Sequence, residues 1–304
     1  SSYSAALDGS GRVHFIYGKV TRTDISQGPD APGTRYEYLQ DIMFCTYAEG
    51  AWDVPRNVTS VSSPCSSTPV FYEVDDRGYM HIVFTAWIWG RDSTHPPADP
   101  SAYQHEQENL WYRYISPDGL MSDPRRLTDF SGSWGLQAVN FTVRGNRLYG
   151  AYTAVRNNET TPSSYRAVEG FVEGYLDAWE PAVQLTAWDF NEDPGQLQPE
   201  YWPSIDVSGL GGEVTVVYGV RTVSPFLYTG KSDVYGCVRG AGAGAGWSAP
   251  QNMTSAAGNE GWLPLFVFYR DGADFATVFT FRRTITIDAT HPPREDAFLI
   301  YHSG

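Results

Sequence analysis

The feature that most constrains the fold of this chain is a short segment that recurs four times. It reads WDVPRNVT at 52–59, MSDPRRLT at 121–128, WEPAVQLT at 179–186 and WSAPQNMT at 247–254. Each copy ends on a threonine seven residues after its first residue, and an apolar residue precedes that threonine. The copies begin 69, 58 and 68 residues apart. Such a period indicates a repeated architecture in which each unit is one supersecondary structure.

Apolar segments of strand length keep the same period. One segment follows a turn rich in Asp, Gly and Asn in each of five units: GRVHFIYG, GYMHIVFT, NRLYGAYT, GEVTVVYG and FATVFTFR. A further strand then follows in each unit: IMFCTY, LWYRYI, EGFVEGY, DVYGCV and AFLIYH. An inner strand precedes each turn, and turns of this composition suit tight hairpins. No long segment has apolar residues at helical spacing, so the chain is predicted to be all-β.

Four strands per unit of about 65 residues, repeated five times, predict a single-domain five-bladed β-propeller. The blades are predicted at about 1–59, 60–128, 129–186, 187–254 and 255–304. A pair of β-sandwiches or a solenoid is the alternative. The last unit reaches Gly304 without a copy of the recurring segment. Either that blade has three strands, or the protein continues past Gly304 with further sequence or domains.

Composition narrows the classes of partner. The aromatic share is 15%, with 30 Gly and 20 Pro, which favours short strands and tight turns over helices. The formal charge of −14 argues against binding to a nucleic-acid backbone, which requires a basic surface. No run of eighteen apolar residues is present, so membrane insertion is not expected.

The repeated strands and the W..P..LT segment together resemble the blades of sialidase-like and BNR-type repeat proteins of bacteria. The resemblance covers most of the chain but concerns the blade signature alone. Asp76-Arg77-Gly78 with His81 comes nearest to an Asp-box and lacks its leading Ser or Thr. The arginine triad of the sialidases cannot be carried over to particular residues. The resemblance implies a secreted or cell-surface protein that handles carbohydrate, and its activity does not transfer with the fold.

Long connections between second and third strands predict where ligands bind. Because connections alternate between the two ends of antiparallel strands, these insertions share one face, opposite the tight turns. They are predicted at about 18–40, 86–109, 153–167, 219–233 and 281–296. Elaborated loops on a rigid scaffold commonly carry function. The tetrapeptide Thr-His-Pro-Pro occurs in two of these insertions, so His95 and His291 are predicted to lie on the same face.

An arginine recurs near the start of these insertions, where it could clamp a carboxylate or sulfate group with two hydrogen bonds. The alternative is that each arginine pairs with an acidic residue of its own loop. Trp87 and Trp89 are predicted to stack on sugar rings at the same face. The candidate ligand-binding residues are Arg91, Arg156, Arg221, Arg282, Trp87, Trp89, His95 and His291.

The remaining predictions concern modification and chemistry. Asn57, Asn158 and Asn252 begin Asn-x-Thr sequons and are predicted glycan acceptors, with Asn158 the one in a loop. Cys45 and Cys65 are the predicted disulfide pair of the three cysteines. No His-x-His or His-Glu-x-x-His spacing occurs, so neither a metal nor another cofactor is expected.

Three functions remain open from the sequence. The first is a secreted carbohydrate-binding propeller that recognises glycans on its long-loop face. The second is a carbohydrate-active enzyme, either a glycoside hydrolase or a polysaccharide lyase, with its site in the central cavity and its catalytic residues unassigned. The third is a structural or adhesive module of a larger cell-surface protein. A lectin is expected to repeat its ligand residues from blade to blade, whereas an enzyme needs one asymmetric cluster.

Overall fold

The structure is a computed structural model. It describes residues 3–25, 36–59, 65–91, 103–130, 134–157, 164–191, 197–207, 212–222, 232–241, 245–253, 261–269, 276–285 and 294–303. In the last sheet and at the ends of several strands, only the backbone is described. The described residues form strands and turns without a helix, as the all-β prediction requires. No helix able to span a bilayer therefore occurs among them.

Five separate sheets are present among the described residues. The first sheet contains β1 (Tyr3–Leu7), β2 (Val13–Ile25), β3 (Tyr36–Ala48), β4 (Ala51–Trp52) and β5 (Arg56–Asn57). The second contains β6 (Cys65–Val74), β7 (Met80–Arg91), β8 (Tyr103–Ile115) and β9 (Arg125–Arg126). The long strands of both sheets pair antiparallel in chain order.

The other three sheets repeat this order. The third contains β10 (Trp134–Arg144), β11 (Arg147–Asn157), β12 (Ser164–Tyr175), β13 (Ala178–Trp179) and β14 (Val183–Asn191). The fourth contains β15 (Leu197–Val207), β16 (Val214–Thr222), β17 (Ser232–Arg239) and β18 (Gln251–Asn252). The fifth contains β19 (Gly261–Tyr269), β20 (Ala276–Ile285) and β21 (Arg294–Ser303), which is three strands among its described residues. The sheets thus follow the order of the predicted units.

The described residues form two compact units. The first covers 1–135 and 176–181, and its core lies between the first and second sheets, where Ile42 and Phe44 pack with Ile82 and Phe84. The second covers 136–175 and 182–304. Its core lies between the third and fourth sheets and includes Phe171 and Tyr218.

The second and third strands of each sheet run further than their apolar pattern predicts. β2 continues to Ile25 although the insertion was expected from Gly18, and β7 continues to Arg91 although it was expected from Ala86. Backbone hydrogen bonds can extend a hairpin beyond the core without an apolar face, so hydrophobic alternation does not mark these ends. The predicted insertions at this end of each sheet therefore consist partly of extended hairpin strands.

The recurring outer segment has a common structural role. Its proline lacks a backbone donor, and in the first sheet the segment forms two short pieces, β4 and β5, on either side of Pro55. In the three copies whose final threonine is described, that threonine accepts a backbone N–H from the third strand of its sheet. These bonds are Ile42 N–Thr59 Oγ1 at 3.2 Å, Leu110 N–Thr128 Oγ1 at 2.9 Å and Glu169 N–Thr186 Oγ1 at 3.3 Å.

Two tryptophans of the outer segment contribute to packing. Within the first unit the Trp179 ring lies 4.8 Å from the ring of Tyr112, and within the second unit Trp247 lies 4.8 Å from Phe171. Trp52 occupies the same place in its repeat but is 55% exposed.

The predicted Cys45–Cys65 disulfide is not formed in the structure, where Cys45 is a free, buried thiol. The register explains why. Cys45 pairs with Phe15, near the tight turn of the first sheet, whereas Cys65 pairs with Ile88 at the end of β6 away from its tight turn. The two cysteines therefore occupy opposite ends of their sheets. Sequence spacing cannot reveal this offset.

Candidate functional site

The predicted arginines all lie in the final residues of the second strands, away from the tight turns. Arg91 belongs to β7, Arg156 to β11, Arg221 to β16 and Arg282 to β20. Trp87 and Trp89 lie on β7 near Arg91. His95 and His291 lie outside the described residues. Of all these candidates, only Arg156 has a described side chain, so the site is built from the third sheet.

Two exposed arginines stand directly opposite each other at this end of the third sheet. Arg156 on β11 pairs with Arg166 on β12, and both side chains are exposed. Like charges directly opposite on antiparallel strands are destabilising. Two neighbouring guanidinium groups can instead bind one anionic group, each with parallel hydrogen bonds. This pair of exposed arginines is therefore a candidate site for a carboxylate or sulfate group.

The register extends the row across a third strand. Arg166 pairs on its other side with Asp189 of β14, which places one acidic position beside the two basic ones. Aromatic residues occupy the adjoining positions, since Tyr165 pairs with Phe190 and Ala167 pairs with Trp188. Because successive residues of a strand point to opposite faces, these aromatic positions belong to the face opposite that of Arg156, Arg166 and Asp189.

This sheet departs from the repeat in the length of its outer strand. β14 has nine residues and pairs with β12 as far as Ser164 opposite Asn191. The corresponding pieces β5, β9 and β18 have two residues each. At its loop end, the end opposite the tight turns, the third sheet is thus wider than the other described sheets. The candidate site is therefore not repeated equally in those sheets.

A second departure from the repeat is a buried glutamate. Glu169 pairs with Thr153, and the corresponding pairs in the other sheets place an apolar residue at its position. Those residues are Ile42, Leu110, Val234 and Leu299. The Glu169 side chain is fully buried. A carboxyl group therefore occupies a position at which the other four units have an apolar residue.

The surroundings of Glu169 favour its neutral form. The Thr153 hydroxyl donates to Glu169 Oε2 at 2.8 Å, while Oε1 has no hydrogen-bond partner among the described residues. Burial raises the pKa of Glu169 to about 8, and the Thr153 hydrogen bond offsets this only in part. A carboxylic acid with such a pKa carries its proton at neutral pH.

Other titratable groups adjoin Glu169 across the interface between the third and fourth sheets. Burial and then the proximity of Cys237 and Glu169 raise the pKa of the Tyr218 phenol. Burial also raises the pKa of the Cys237 thiol. Both side chains are inaccessible to solvent. Perturbed pKa values cluster at functional sites, although buried structural networks perturb them as well.

The sequon asparagines have different surroundings. The side-chain oxygen of Asn57 accepts the Thr59 backbone N–H at 2.8 Å, so this asparagine is tied to its own sequon. Asn252 is exposed, and its amide nitrogen donates to Asp233 Oδ2 at 3.0 Å. Asn158 lies outside the described residues. Glycosylation at all three remains a prediction.

Sequence reasoning missed Arg166 and Glu169. Arg166 lies on the far side of an insertion from Arg156, and only the strand register shows that the two are opposite. Glu169 had a signal in the sequence, because aligned third strands place Ile42, Leu110 and Val234 at its position. In the part of the chain that the structure describes, no group of three His, Cys, Asp or Glu side chains could hold a metal ion.

Comparison with known proteins yields distant structural likeness only. No protein-family model and no curated protein matches the chain. An ulvan lyase is similar at 10% identity and a TM-score of 0.48, over 97% of this chain and 68% of that one. The α-L-arabinanase of Penicillium chrysogenum has 10% identity and a TM-score of 0.43, over 92% and 76%. An endo-arabinase from Bacteroides thetaiotaomicron has 11% identity and a TM-score of 0.36, over 99% and 93%.

These neighbours are carbohydrate-active enzymes by description. At such identities and TM-scores, the likeness assigns neither a family nor an activity. It also shows nothing specific to sialidase-like or BNR-type repeats.

Proposed function

We propose that this chain is a secreted carbohydrate-binding protein that recognises acidic glycans at the loop end of its sheets. The proposal includes the arrangement of the five sheets as blades of one β-propeller. The observation that carries the binding function is the exposed cross-strand pair Arg156 and Arg166. Location outside the cell rests on the sequence resemblance.

The chemistry of the pair defines the ligand class. Guanidinium groups bind carboxylate and sulfate oxygens through parallel hydrogen bonds, and a neutral sugar lacks a partner of that kind. The chain as a whole carries a formal charge of −14, which repels anions at long range. Affinity for an acidic glycan must therefore come from local contacts.

Binding of three glycans of equal length tests this proposal: one sulfated, one containing uronic acid and one neutral. We expect the two acidic glycans to bind and the neutral one to bind more weakly. Arg156→Ala and Arg166→Ala should each weaken acidic-glycan binding at least tenfold, because a hydrogen bond to a charged group contributes about 1.5–3 kcal/mol. Arg156→Lys should recover only part of the loss, since lysine keeps the charge without the bidentate geometry.

Arg126→Ala provides the matched control. Arg126 is an exposed arginine on β9, where it forms an ion pair with Asp129 at 2.6 Å. Its removal changes the net charge equally without touching the third sheet. If Arg126→Ala and Arg156→Ala lose equal affinity for the acidic glycans, the effect is one of net charge and the proposal is contradicted. Equal binding of all three glycans would also contradict it.

A carbohydrate-active enzyme is the second candidate, either a glycoside hydrolase or a polysaccharide lyase. The observation that favours it is the asymmetry of the third sheet, which alone among the described sheets has a long outer strand and a buried carboxyl at the Glu169 position. Assays for reducing sugar and unsaturated uronate on the same glycans separate the candidates. Turnover selects the enzyme, binding without turnover selects the lectin, and silence in both favours a structural or adhesive module.

A further inference from the structure

We propose that ionisation of Glu169 opens the packing between the third and fourth sheets, so that the two sheets separate at this interface under alkaline conditions. The proposal does not depend on glycan recognition. It begins from the placement of Glu169, whose side chain occupies a core position that is apolar at Ile42, Leu110 and Val234. A neutral acid can remain there, because its desolvation cost is small compared with that of an anion.

The groups that face Glu169 offer an anion little compensation. Thr153 on β11 supplies one hydrogen bond, and Thr186 on β14 accepts the backbone N–H of Glu169 itself. The titratable side chains that interact electrostatically with Glu169 are Tyr152 on β11, Tyr218 on β16 and Cys237 on β17. Burial raises the pKa of each of these three groups, and each becomes an anion when it ionises, so none of them supplies a positive charge.

The cation that the structure describes beside Phe171, Arg239, is engaged by another carboxylate. The Arg239 guanidinium is bound to Glu173, four residues along β12 from Glu169. No cation contacts Glu169 among the described residues, and its Oε1 has no hydrogen-bond partner there. An ionised Glu169 would therefore retain a single hydrogen bond in an apolar interior. Water between β12 and β16 would solvate the ionised carboxylate. The two sheets must separate to admit that water.

The direction of the pH effect follows from linkage. The pKa of Glu169 is raised to about 8 in the folded chain, above the value of about 4.3 for an unfolded glutamate. The stability that Glu169 contributes is therefore complete below pH 4 and falls as pH rises through 8. Between these values one proton is released on unfolding, which makes the unfolding equilibrium constant rise about tenfold per pH unit.

Glu169→Gln is the matched variant, because it keeps the shape of the side chain and cannot ionise. Urea unfolding from pH 5 to pH 9 should give a ratio of wild-type to variant unfolding constants that rises about tenfold per unit up to pH 8. Hydrogen exchange, corrected for its intrinsic pH dependence, should show that β12 and β16 of the wild type lose protection between pH 6 and pH 9. The variant should keep that protection.

If Glu169→Gln does not fold, Glu169→Leu supplies the residue that the repeat places at Leu110, and the same comparison applies. If the unfolding constants of the wild type and of whichever variant folds depend on pH in the same way, the proposal is wrong. Equal loss of protection in strands of the first unit would also overturn it, because the separation must begin at the interface that contains Glu169. Glycan binding is not a readout in either experiment, so the outcome is independent of the proposed function.

Discussion

Arg239 and Glu173 form a two-point ion pair that joins the fourth sheet to the third. Both terminal nitrogens of Arg239 donate to the Glu173 carboxylate, with Nη2–Oε2 at 2.9 Å. The guanidinium carbon also lies 5.0 Å from the ring centre of Phe171 and 5.6 Å from that of Trp247. The Glu173 hydrogen bonds raise the pKa of Arg239. The pair is thus largely desolvated and packed between rings.

Removal of one partner of this pair should destabilise the second unit. Glu173→Gln leaves the partly buried Arg239 charge without this anion, so the loss should be smaller than the about 3–5 kcal/mol that breaking a fully buried pair costs. We expect a fall in the urea midpoint. The double variant Glu173→Gln/Arg239→Met should recover part of that loss, because it removes the uncompensated charge. Additive losses in the double variant would show that the two residues act independently.

The turn of the first sheet should be sensitive to acid. Burial alone would raise the pKa of Asp8, but hydrogen bonds from Ser10, His14 and Arg12 outweigh it and hold the pKa well below its ordinary value. A carboxyl with a lowered folded pKa contributes stability above its unfolded pKa, about 3.9, and loses it as pH falls below that value. Asp8→Asn should therefore destabilise the chain at pH 7 and flatten its stability profile between pH 5 and pH 2. Unchanged acid sensitivity in Asp8→Asn would assign the effect to other carboxyls.

The outer-segment tryptophans should differ in their contributions although they share a repeat position. Trp247 packs on Phe171, whereas Trp52 is 55% exposed and contacts Phe15 and Tyr47. Trp247 is partly buried, so we expect Trp247→Ala to cost less than the about 3–5 kcal/mol that removal of a fully buried large aromatic costs. Trp52→Ala should cost clearly less in the same thermal unfolding experiment. Equal costs would mean that Trp52 is buried against another part of the protein.

The arginines at the strand ends of the other sheets test whether the site extends beyond the third sheet. Arg91→Ala and Arg221→Ala should each weaken binding of an acidic glycan by about 1.5–3 kcal/mol. Thermal stability should change by less than about 0.5 kcal/mol, as is usual for surface positions. Calorimetric titration and thermal melts on the same samples measure both quantities. A lower melting temperature with intact binding would identify these arginines as structural contacts within their sheets.

The sequence by itself determined the all-β class and the order of the repeated strands. In three copies of the recurring segment the final threonine, Thr59, Thr128 or Thr186, satisfies a backbone N–H of the neighbouring strand. Tight turns and apolar alternation depend on neighbouring residues in the chain, so sequence reveals them directly. Trp179 and Trp247 occupy equivalent positions of the same repeat, and each packs on an aromatic ring.

Only the tertiary structure decided which residues meet. Arg156 and Arg166 are ten residues apart, and the register of β11 on β12 makes them neighbours. The register also placed Cys45 and Cys65 at opposite ends of their sheets, which the spacing of cysteines could not show. The ionisation state of Glu169 depends on its complete burial and on a single hydroxyl contact with Thr153. Such contacts form between residues that only folding brings together, and the local pattern of the chain does not encode them.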